Sequence, residues 1–308
     1  MPSKPRSYLA SPKGLQRLQA AKAEQNLSFV AIAEQAGVSA DTVRRLFHPV
    51  RGNEVSEASF RKIANALQVS VEAIAQPNQA DAKAAFAEAE KRIQVVLEAN
   101  STELDLSGLG LKAVPAVIGQ LQNLMTLNLR RNQLTQVPKE LGELQNLTLL
   151  ELSHNQLTTL PQELGQLHDL TRLALSDNQL MQVPKELGQL YKLTWLTLYQ
   201  NQLTTLPREL DQLQNLTQLD LSENQLKTLP NELGQLQNLT QLYLHQNHLT
   251  VLPSELGKLQ KLTRLELDQN QLTQVPNELG QLQKLTQLDL SENQLKTLPN
   301  ELGQLQNL

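Results

Sequence analysis

The chain has 308 residues and a formal net charge of −4. Because it contains no cysteine, disulfide bonds and sites built on thiolate ligands are excluded. No stretch reaches the roughly 18 apolar residues that a membrane-spanning helix needs, and the polar N-terminus has no apolar core typical of a signal peptide. We therefore expect a cytoplasmic protein that is long enough for two domains.

Charge is distributed unevenly along the sequence. Residues 1–76 contain ten Lys and Arg against six Asp and Glu, whereas residues 77–308 contain seventeen against twenty-five. Opposite signs in the two parts predict two domains with different partners. We predict a disordered tail at 1–11, a helix-turn-helix domain at 12–76, a linker and capping helix at 77–99 and a repeat array at 100–308.

Residues 12–76 contain the pattern of two short helices joined by a tight turn. Ser28 and Ser39 are suited to cap consecutive helices, and Gly37 fits the turn between them. This pattern resembles the helix-turn-helix domain of the phage Cro and repressor type. The resemblance implies a small all-α domain whose second helix enters the major groove of DNA. It implies DNA contacts from Ser39, Ala40, Asp41, Thr42, Arg44, Arg45 and His48.

A different role for the same domain stays open at this point. Phe29 and Val30 stand where that family often has polar, phosphate-contacting residues, and Asp41 would place a negative charge near the DNA backbone. The alternative is a helical domain that keeps this fold but binds protein. Site-specific DNA binding would also require dimerisation.

The segment that precedes the repeats is rich in helix-forming residues. Phe86, Ala89, Ile93, Val96 and Leu97 are spaced as an apolar stripe along one helix face. A free helical linker would expose this stripe to water. We therefore predict a helix that caps the first repeat.

A phrase of 23 residues recurs through the rest of the chain. Around one asparagine per repeat, leucines lie at offsets −8, −5, −3 and +2, followed by Leu or Val before Pro at +5 and +6 and by Gly at +10, with Asp211 replacing one Gly. A fixed period of this length predicts a solenoid in which each repeat packs on its neighbours. The asparagines are Asn132, Asn155, Asn178, Asn201, Asn224, Asn247, Asn270 and Asn293.

This phrase resembles the leucine-rich repeat of the 23-residue intracellular type. The resemblance implies an α/β solenoid, a horseshoe with parallel strands on its concave face. Alternation in segments such as Leu127-Asn128-Leu129 predicts short strands with leucines inward. The asparagine amide is predicted to satisfy backbone groups where the strand enters a buried turn. The later Leu-Pro pair predicts an extended segment, and the glycine predicts a bend.

The variable residues at offsets −6, −4 and −2 are predicted to line the concave face and to bind a protein or peptide. Trp195, Tyr199, Tyr243 and His245 predict a central aromatic patch, with an apolar anchor near Trp195, since aromatic residues dominate many interfaces. Acidic residues in the C-terminal half favour a basic ligand segment there. The alternative is a solvated sheet face with chance aromatics. The predicted partner-binding residues are Arg130, Arg172, Trp195, Tyr199, Asp220, Tyr243, His245, Glu266 and Asp268.

Motifs of catalysis are missing from the sequence: there is no phosphate-binding loop, nucleophile elbow or zinc-protease motif. Exposed carboxylates on a strand face lack the burial that tunes acid–base catalysts. We therefore predict no enzymatic activity, no catalytic residue, no cofactor and no metal site. The first interpretation is an adaptor or regulator that joins a DNA-binding domain to a protein-recognition platform.

A second interpretation comes from the entry to the repeats. Residues 89–93 and 104–112 resemble the corresponding region of bacterial Roco GTPases, in which a Ras-like GTPase domain follows the repeats. That resemblance implies the sensor portion of a signalling protein whose GTPase region is absent here. The stop at Leu308 in mid-phrase is what such a truncation would produce, and exposed leucines there would favour oligomerisation.

Overall fold

Two units make up the chain, Met1–Ala85 and Phe86–Leu308. The computed structural model describes residues 7–8, 12–47, 55–69 and 79–308. Across these described ranges, no helix has both the length and the apolar character that crossing a membrane requires.

The N-terminal unit packs short helices around an apolar core. Ile32, Val43 and Ile63, from three different helices, are completely buried, and Phe60 is nearly so. These are residues whose spacing puts them on the inner faces of their helices. The described helices of this unit are α1 (Pro12–Glu24), α2 (Phe29–Ala36), α3 (Ala40–Leu46) and α4 (Glu57–Ala66).

The turn between α2 and α3 has the predicted local chemistry. Ser28 Oγ accepts a hydrogen bond from the Ala31 N–H at 3.1 Å, and Gly37 ends α2 in the left-handed conformation with a φ of 59°. Ser39 Oγ accepts the Thr42 N–H at 3.1 Å at the start of α3. The two predicted caps and the turn glycine are therefore confirmed as local structure.

A short antiparallel pair corrects the expectation of an all-α N-terminal domain. Strand β1 (Ser7–Tyr8) lies within the predicted disordered tail, and it pairs with β2 (Val55–Ser56). Two residues in each strand are too few to show an alternating pattern in the sequence. The strands are fixed by their pairing and not by local preference.

Helix α5 (Gln79–Ala99) crosses the boundary between the units. In the repeat unit, Ile93 is 1% exposed, and Arg92 Nη1 donates to the Asp105 carbonyl at 3.0 Å. The predicted apolar stripe is wrong at Leu97, which is exposed. In a helix of 3.6 residues per turn, residues four apart are displaced by about 40° around the axis. From Ala89 through Ile93 to Leu97 these displacements add up, so Leu97 lies outside the packed face.

The repeat unit contains a sheet of parallel strands that follow one another in chain order. Equivalent residues of successive repeats pair, so that Leu127 lies opposite Leu150. The leucine at the centre of each strand from β3 to β10 is buried in the core, as the alternation predicts, whereas Leu288 of β11 is half-buried. The strands are β3 (Glu103–Asp105), β4 (Thr126–Asn128), β5 (Leu149–Glu151), β6 (Arg172–Ala174), β7 (Trp195–Thr197), β8 (Gln218–Asp220), β9 (Gln241–Tyr243), β10 (Arg264–Glu266) and β11 (Gln287–Asp289).

The asparagine of each repeat satisfies backbone groups of two neighbouring turns, as predicted. Asn201 Nδ2 donates to the carbonyls of Leu175 and Leu198, both at 3.0 Å, and Asn201 Oδ1 accepts the Leu180 N–H at 3.0 Å. The asparagine is 8% exposed, so these backbone groups have little access to water as an alternative partner. Asn178 and Asn224 repeat the same three bonds.

The residue before each repeat asparagine adopts a left-handed backbone conformation that the sequence does not indicate. Its φ lies between 50° and 56° in all eight positions from Arg131 to Glu292. None of these residues is glycine, so each conformation costs on the order of 1 kcal/mol or more. The hydrogen bonds of the neighbouring asparagine offset this strain.

The segment after each proline departs from the predicted extended chain. Pro184 itself is extended, with φ −67° and ψ 143°, but the next five residues form a 3-10 helix. Proline has a fixed φ and lacks an N–H, so it suits the position before a helix. The 3-10 helices are Ala116–Gln120, Lys139–Glu143, Gln162–Gln166, Lys185–Gln189, Arg208–Gln212, Asn231–Gln235, Ser254–Lys258, Asn277–Gln281 and Asn300–Gln304.

Candidate functional site

The side chains at offsets −6, −4, −2 and −1 from the eight repeat asparagines form a surface that we call the variable face. It lies on the side of the sheet opposite the buried leucines. Eight carboxylates and four arginines stand at these positions, so the variable face is acidic. All nine predicted partner-binding residues belong to it.

A shallow pocket of about 210 Å³ opens on the variable face. Its floor consists of small side chains, namely Ser153, Ala174, Ser176 and Thr197. Ser176 Oγ and Thr197 Oγ1 share a hydrogen bond of 2.7 Å, which fixes two of these side chains. The pocket exists because small residues occur at neighbouring positions in consecutive repeats, where larger side chains would fill the space.

Larger polar and aromatic side chains rim this pocket. Arg130 Nη2 lies 2.9 Å from His154 Nε2, and His154 Nδ1 lies 3.3 Å from Asp177 Oδ2. Burial lowers the pKa of His154, with Asp177 acting against the shift and Arg130 with it. The imidazole is therefore neutral near pH 7, accepts from Arg130 at Nε2 and carries its proton on the Asp177 side. The rim residues are Arg130, Glu151, His154, Asp177, Trp195, Tyr199 and Asp220.

Trp195, the only tryptophan of the chain, has a charged group over its ring. Arg172 Cζ lies 4.9 Å from the ring centroid, in the arrangement of a cation–π contact. The predicted apolar anchor at Trp195 is thus bordered by polar groups, and its aromatic surface is only partly available to a ligand.

Tyr199 indicates the electrostatic character of the pocket. Its hydroxyl donates to Glu223 Oε1 at 2.9 Å. Burial, this hydrogen bond and the charges of Glu223, Asp177 and Asp220 together raise the pKa of Tyr199 to about 12. The phenol therefore stays protonated, and the carboxylates around it make the local potential negative.

A second group of the predicted residues lies further along the variable face. His245 Nδ1 is 3.2 Å from Glu266 Oε2 but is not aligned for a hydrogen bond, and Asp268 brings a third possible metal ligand within 4.8 Å. Arg264 Nε donates to Glu266 Oε1 at 2.7 Å and its guanidinium lies 5.3 Å from the Tyr243 ring. A cation would have to share Glu266 with Arg264, and the absence of a metal site stays a prediction.

The predicted aromatic patch is therefore divided between two groups. Trp195 and Tyr199 rim the pocket, whereas Tyr243 and His245 belong to the second group. The run of small residues at offsets −4 and −2 could have indicated the pocket from the sequence. His154 and Asp177 stand at offset −1, and only the left-handed turn makes them part of the rim.

The predicted DNA contacts that the structure describes lie at the start of α3 and along it. Ser39 and Arg44 are exposed, while Ala40 and Thr42 are half-buried. The hydroxyls of Ser39 and Thr42 are hydrogen-bonded at 2.8 Å, so both contribute to the cap of this helix. Outside the described residues lie the side chains of Asp41 and Arg45 and the whole of His48.

The repeats match two models of known protein families. A family model described as a leucine-rich repeat region matches residues 179–271. A second, described as leucine rich repeat, matches residues 102–157, 122–180 and 260–308. No curated protein sequence matches the chain.

Solved structures share the fold of the repeat unit. The ectodomain of the Arabidopsis thaliana receptor kinase GASSHO1/SCHENGEN3, in complex with CASPARIAN STRIP INTEGRITY FACTOR 2, is 37% identical with a TM-score of 0.61, over 67% of this chain and 26% of the receptor chain. The plant peptide hormone receptor RGFR1, in complex with RGF2, is 31% identical with a TM-score of 0.64, over 70% and 36%. YopM, an effector of Yersinia pestis, is 26% identical with a TM-score of 0.57, over 73% and 64%.

The chain thus spans less than two thirds of each of these three proteins. The two family models together extend from residue 102 to residue 308, which contains strands β3 to β11 of the parallel sheet. The chain therefore belongs to the leucine-rich repeat proteins.

Proposed function

We propose that the chain is a non-enzymatic adaptor or regulator that binds a protein or peptide on the variable face. The main support is the pocket rimmed by Arg130 and Trp195. Arg130 Nε is buried and has no hydrogen-bond partner among the described residues. Native proteins rarely leave such a donor unsatisfied, and a bound partner is one way to satisfy it. Two of the similar structures are receptors in complex with a named factor or hormone.

Charge favours a basic partner. The excess of carboxylates over arginines on the variable face would attract a positively charged segment and orient it before contact. Charge complementarity of this kind contributes more to association rate and specificity than to affinity. The affinity is therefore expected to depend on the partly buried aromatic side chains.

Trp195→Ala tests this proposal. Peptides selected with the full chain from a random-sequence display library are expected to bind the variant about 30-fold more weakly, because a central aromatic residue typically contributes about 2 kcal/mol. The dissociation constant is measured by isothermal titration calorimetry. Tyr191→Ala is the matched control, since Tyr191 is an aromatic residue outside the variable face and 52% exposed. If the dissociation constant is unchanged by Trp195→Ala but increased by Tyr191→Ala, the binding site lies outside the variable face.

We further propose that the N-terminal unit binds DNA as a Cro and repressor type helix-turn-helix domain. The observations that favour this are the capped pair α2 and α3, the left-handed Gly37 between them and the exposed Arg44 on α3. An exposed arginine on the second helix is suited to a phosphate or a guanine edge. The alternative, a protein-binding domain of the same fold, predicts no affinity for duplex DNA.

Arg44→Ala is expected to weaken DNA binding by about fivefold to tenfold and to reduce the salt dependence by about one counterion. Fluorescence anisotropy with a labelled random-sequence duplex at low and moderate salt measures both quantities. Lys62→Ala is the control, because Lys62 is an exposed cation on a different helix, α4. If the unaltered chain shows no salt-sensitive binding to this duplex, the DNA proposal is wrong.

Several points stay predictions from the sequence alone: a cytoplasmic location, the absence of catalysis, oligomerisation and the Roco-type sensor alternative. The sensor alternative has a simple test in the coding sequence downstream of Leu308. A phosphate-binding loop soon after that position would favour it over the adaptor.

A further inference from the structure

The pocket on the variable face has a rim dominated by carboxylates. Glu151, Asp177 and Asp220 line it, against one guanidinium, that of Arg130. The remaining titratable rim groups are His154 and Tyr199. The pKa of His154 is lowered and that of Tyr199 is raised, so both side chains are neutral near pH 7. The pocket therefore carries an excess of negative charge.

Two of these carboxylates are held in place by one oxygen each. Glu151 Oε1 accepts the Ser153 N–H at 2.8 Å, and Asp220 Oδ1 accepts the Ser222 N–H at 3.1 Å. Within the described part of the chain, Glu151 Oε2 and Asp220 Oδ2 have no hydrogen-bond or ion-pair partner. The structure thus presents preorganised acceptors that need no rearrangement before they bind a donor.

Among the described contacts, neither Arg130 nor Arg172 forms an ion pair with Glu151 or Asp220. Arg130 Nη2 contacts His154, which in turn faces Asp177. Arg172 lies over the ring of Trp195 instead of bonding to a carboxylate. Trp195 and Tyr199 form aromatic walls of the pocket, and its floor consists of small, uncharged side chains. Aromatic walls with fixed carboxylates are a combination that suits a cation with an apolar stem.

We infer that this pocket takes one basic side chain, a lysine or an arginine, of the partner. The aliphatic stem of that side chain would contact Trp195 and Tyr199, and its charged end would bond to Asp220 on the adjacent strand β8. Glu151 lies three strands from Asp220, about 14 Å at the usual strand spacing, so its charge would attract the same cation without bonding to it. This inference rests on the proposed binding function. It differs from the prediction made from the sequence in two ways. The ligand side chain near Trp195 is basic instead of apolar, and basic residues of the ligand lie at the pocket and not only at the C-terminal half of the array.

Trp195 makes the inference directly measurable, because no other tryptophan contributes an indole signal. The probe is Nα-acetyl-arginine methylamide, followed by its lysine counterpart, titrated into the full chain while the indole Nε1–H resonance is observed by NMR. We expect a saturable shift with a millimolar dissociation constant. The norleucine and glutamate counterparts, which have an apolar and an acidic side chain, are expected to give no saturable shift at the same concentrations.

The double variant Glu151→Gln and Asp220→Asn removes both charges and keeps an amide oxygen that can accept the same backbone N–H groups. It is expected to weaken binding of the arginine probe about tenfold. The matched control is Asp289→Asn with Glu292→Gln, which removes two charges from the same face outside the pocket and is expected to change affinity less than twofold. Unfolding curves of both variants show whether the fold is retained.

Three outcomes separate this inference from the proposed function. A shift that saturates with norleucine as well as with arginine, or that the double variant leaves unchanged, overturns the basic-side-chain inference. Selected peptides that require Trp195 but contain no lysine or arginine also overturn it, while the binding function stands. If the arginine probe gives a specific, saturable shift but no selected peptide requires the variable face, the inference about the pocket is supported and the proposed peptide-binding function is contradicted.

Discussion

Replacing Asn201 with alanine is expected to lower the free energy of unfolding by about 3–5 kcal/mol. The change removes four hydrogen bonds, the longest of them to the Tyr199 carbonyl at 3.3 Å, and leaves the buried Leu180 N–H and the carbonyls of Leu175 and Leu198 without that partner. Each buried polar group left unsatisfied costs about 1–3 kcal/mol. The measurement is a urea titration followed by circular dichroism.

A matched asparagine lies in the neighbouring repeat. Asn215 Nδ2 makes a single, exposed hydrogen bond to the Tyr191 carbonyl at 2.7 Å. Asn215→Ala is expected to change stability by less than about 1 kcal/mol, because water replaces this bond. In a linear array the Asn201→Ala defect can also separate the unfolding of the flanking repeats into two transitions. Equal effects of the two substitutions would contradict the role of the asparagine ladder.

Gly188→Ala is the second change with a large expected effect, a loss of about 1–3 kcal/mol. A Cβ at this position would overlap with the Glu209 carbonyl oxygen of the next repeat and lie 2.9 Å from its carbonyl carbon. The neighbouring repeat would have to move. Asp211 occupies the equivalent position elsewhere, so the array can adjust, which keeps the expected loss below that of a rigid clash.

Gly303 provides the control for this effect. It stands at the same offset in the last repeat, and a Cβ there would have no atom within 4 Å. Gly303→Ala is expected to be neutral or to stabilise by up to about 1 kcal/mol, since alanine loses less conformational entropy on folding. Thermal unfolding of both variants checks the pair, and a Gly303→Ala loss as large as that of Gly188→Ala would disprove the packing explanation.

The glycines illustrate why part of the fold was inaccessible from the sequence. The period predicted a glycine that bends the chain, whereas Gly188 is required by the approach of the Glu209 backbone. The leucines and Asn201 were predictable because their reasons are local: alternation along a strand and unsatisfied backbone groups. The 3-10 helices and the left-handed residues follow from packing between repeats, which no single repeat reveals.

The candidate site, too, was only partly predictable from the sequence. Offsets from the asparagines were sufficient to place Arg130, Trp195 and Asp220 on one face of the sheet. The grouping of side chains across strands depends on neighbours 21 to 24 residues away, such as Ser176 with Thr197 and Arg130 with His154. The offsets alone do not show where one group of side chains ends and the next begins. Trp195 was therefore grouped with Tyr243 and His245, which lie further along the array, and the pocket was not predicted.

Protein recognition by the variable face is most directly tested by NMR mapping of the full chain with a selected peptide. We expect the shifted backbone amides to cluster in strands β5 to β8, between Leu149 and Asp220, and the Trp195 indole to shift with them. Shifts confined to the 3-10 helices on the other side of the repeats, for example Lys185–Gln189, with unchanged strands would contradict this expectation.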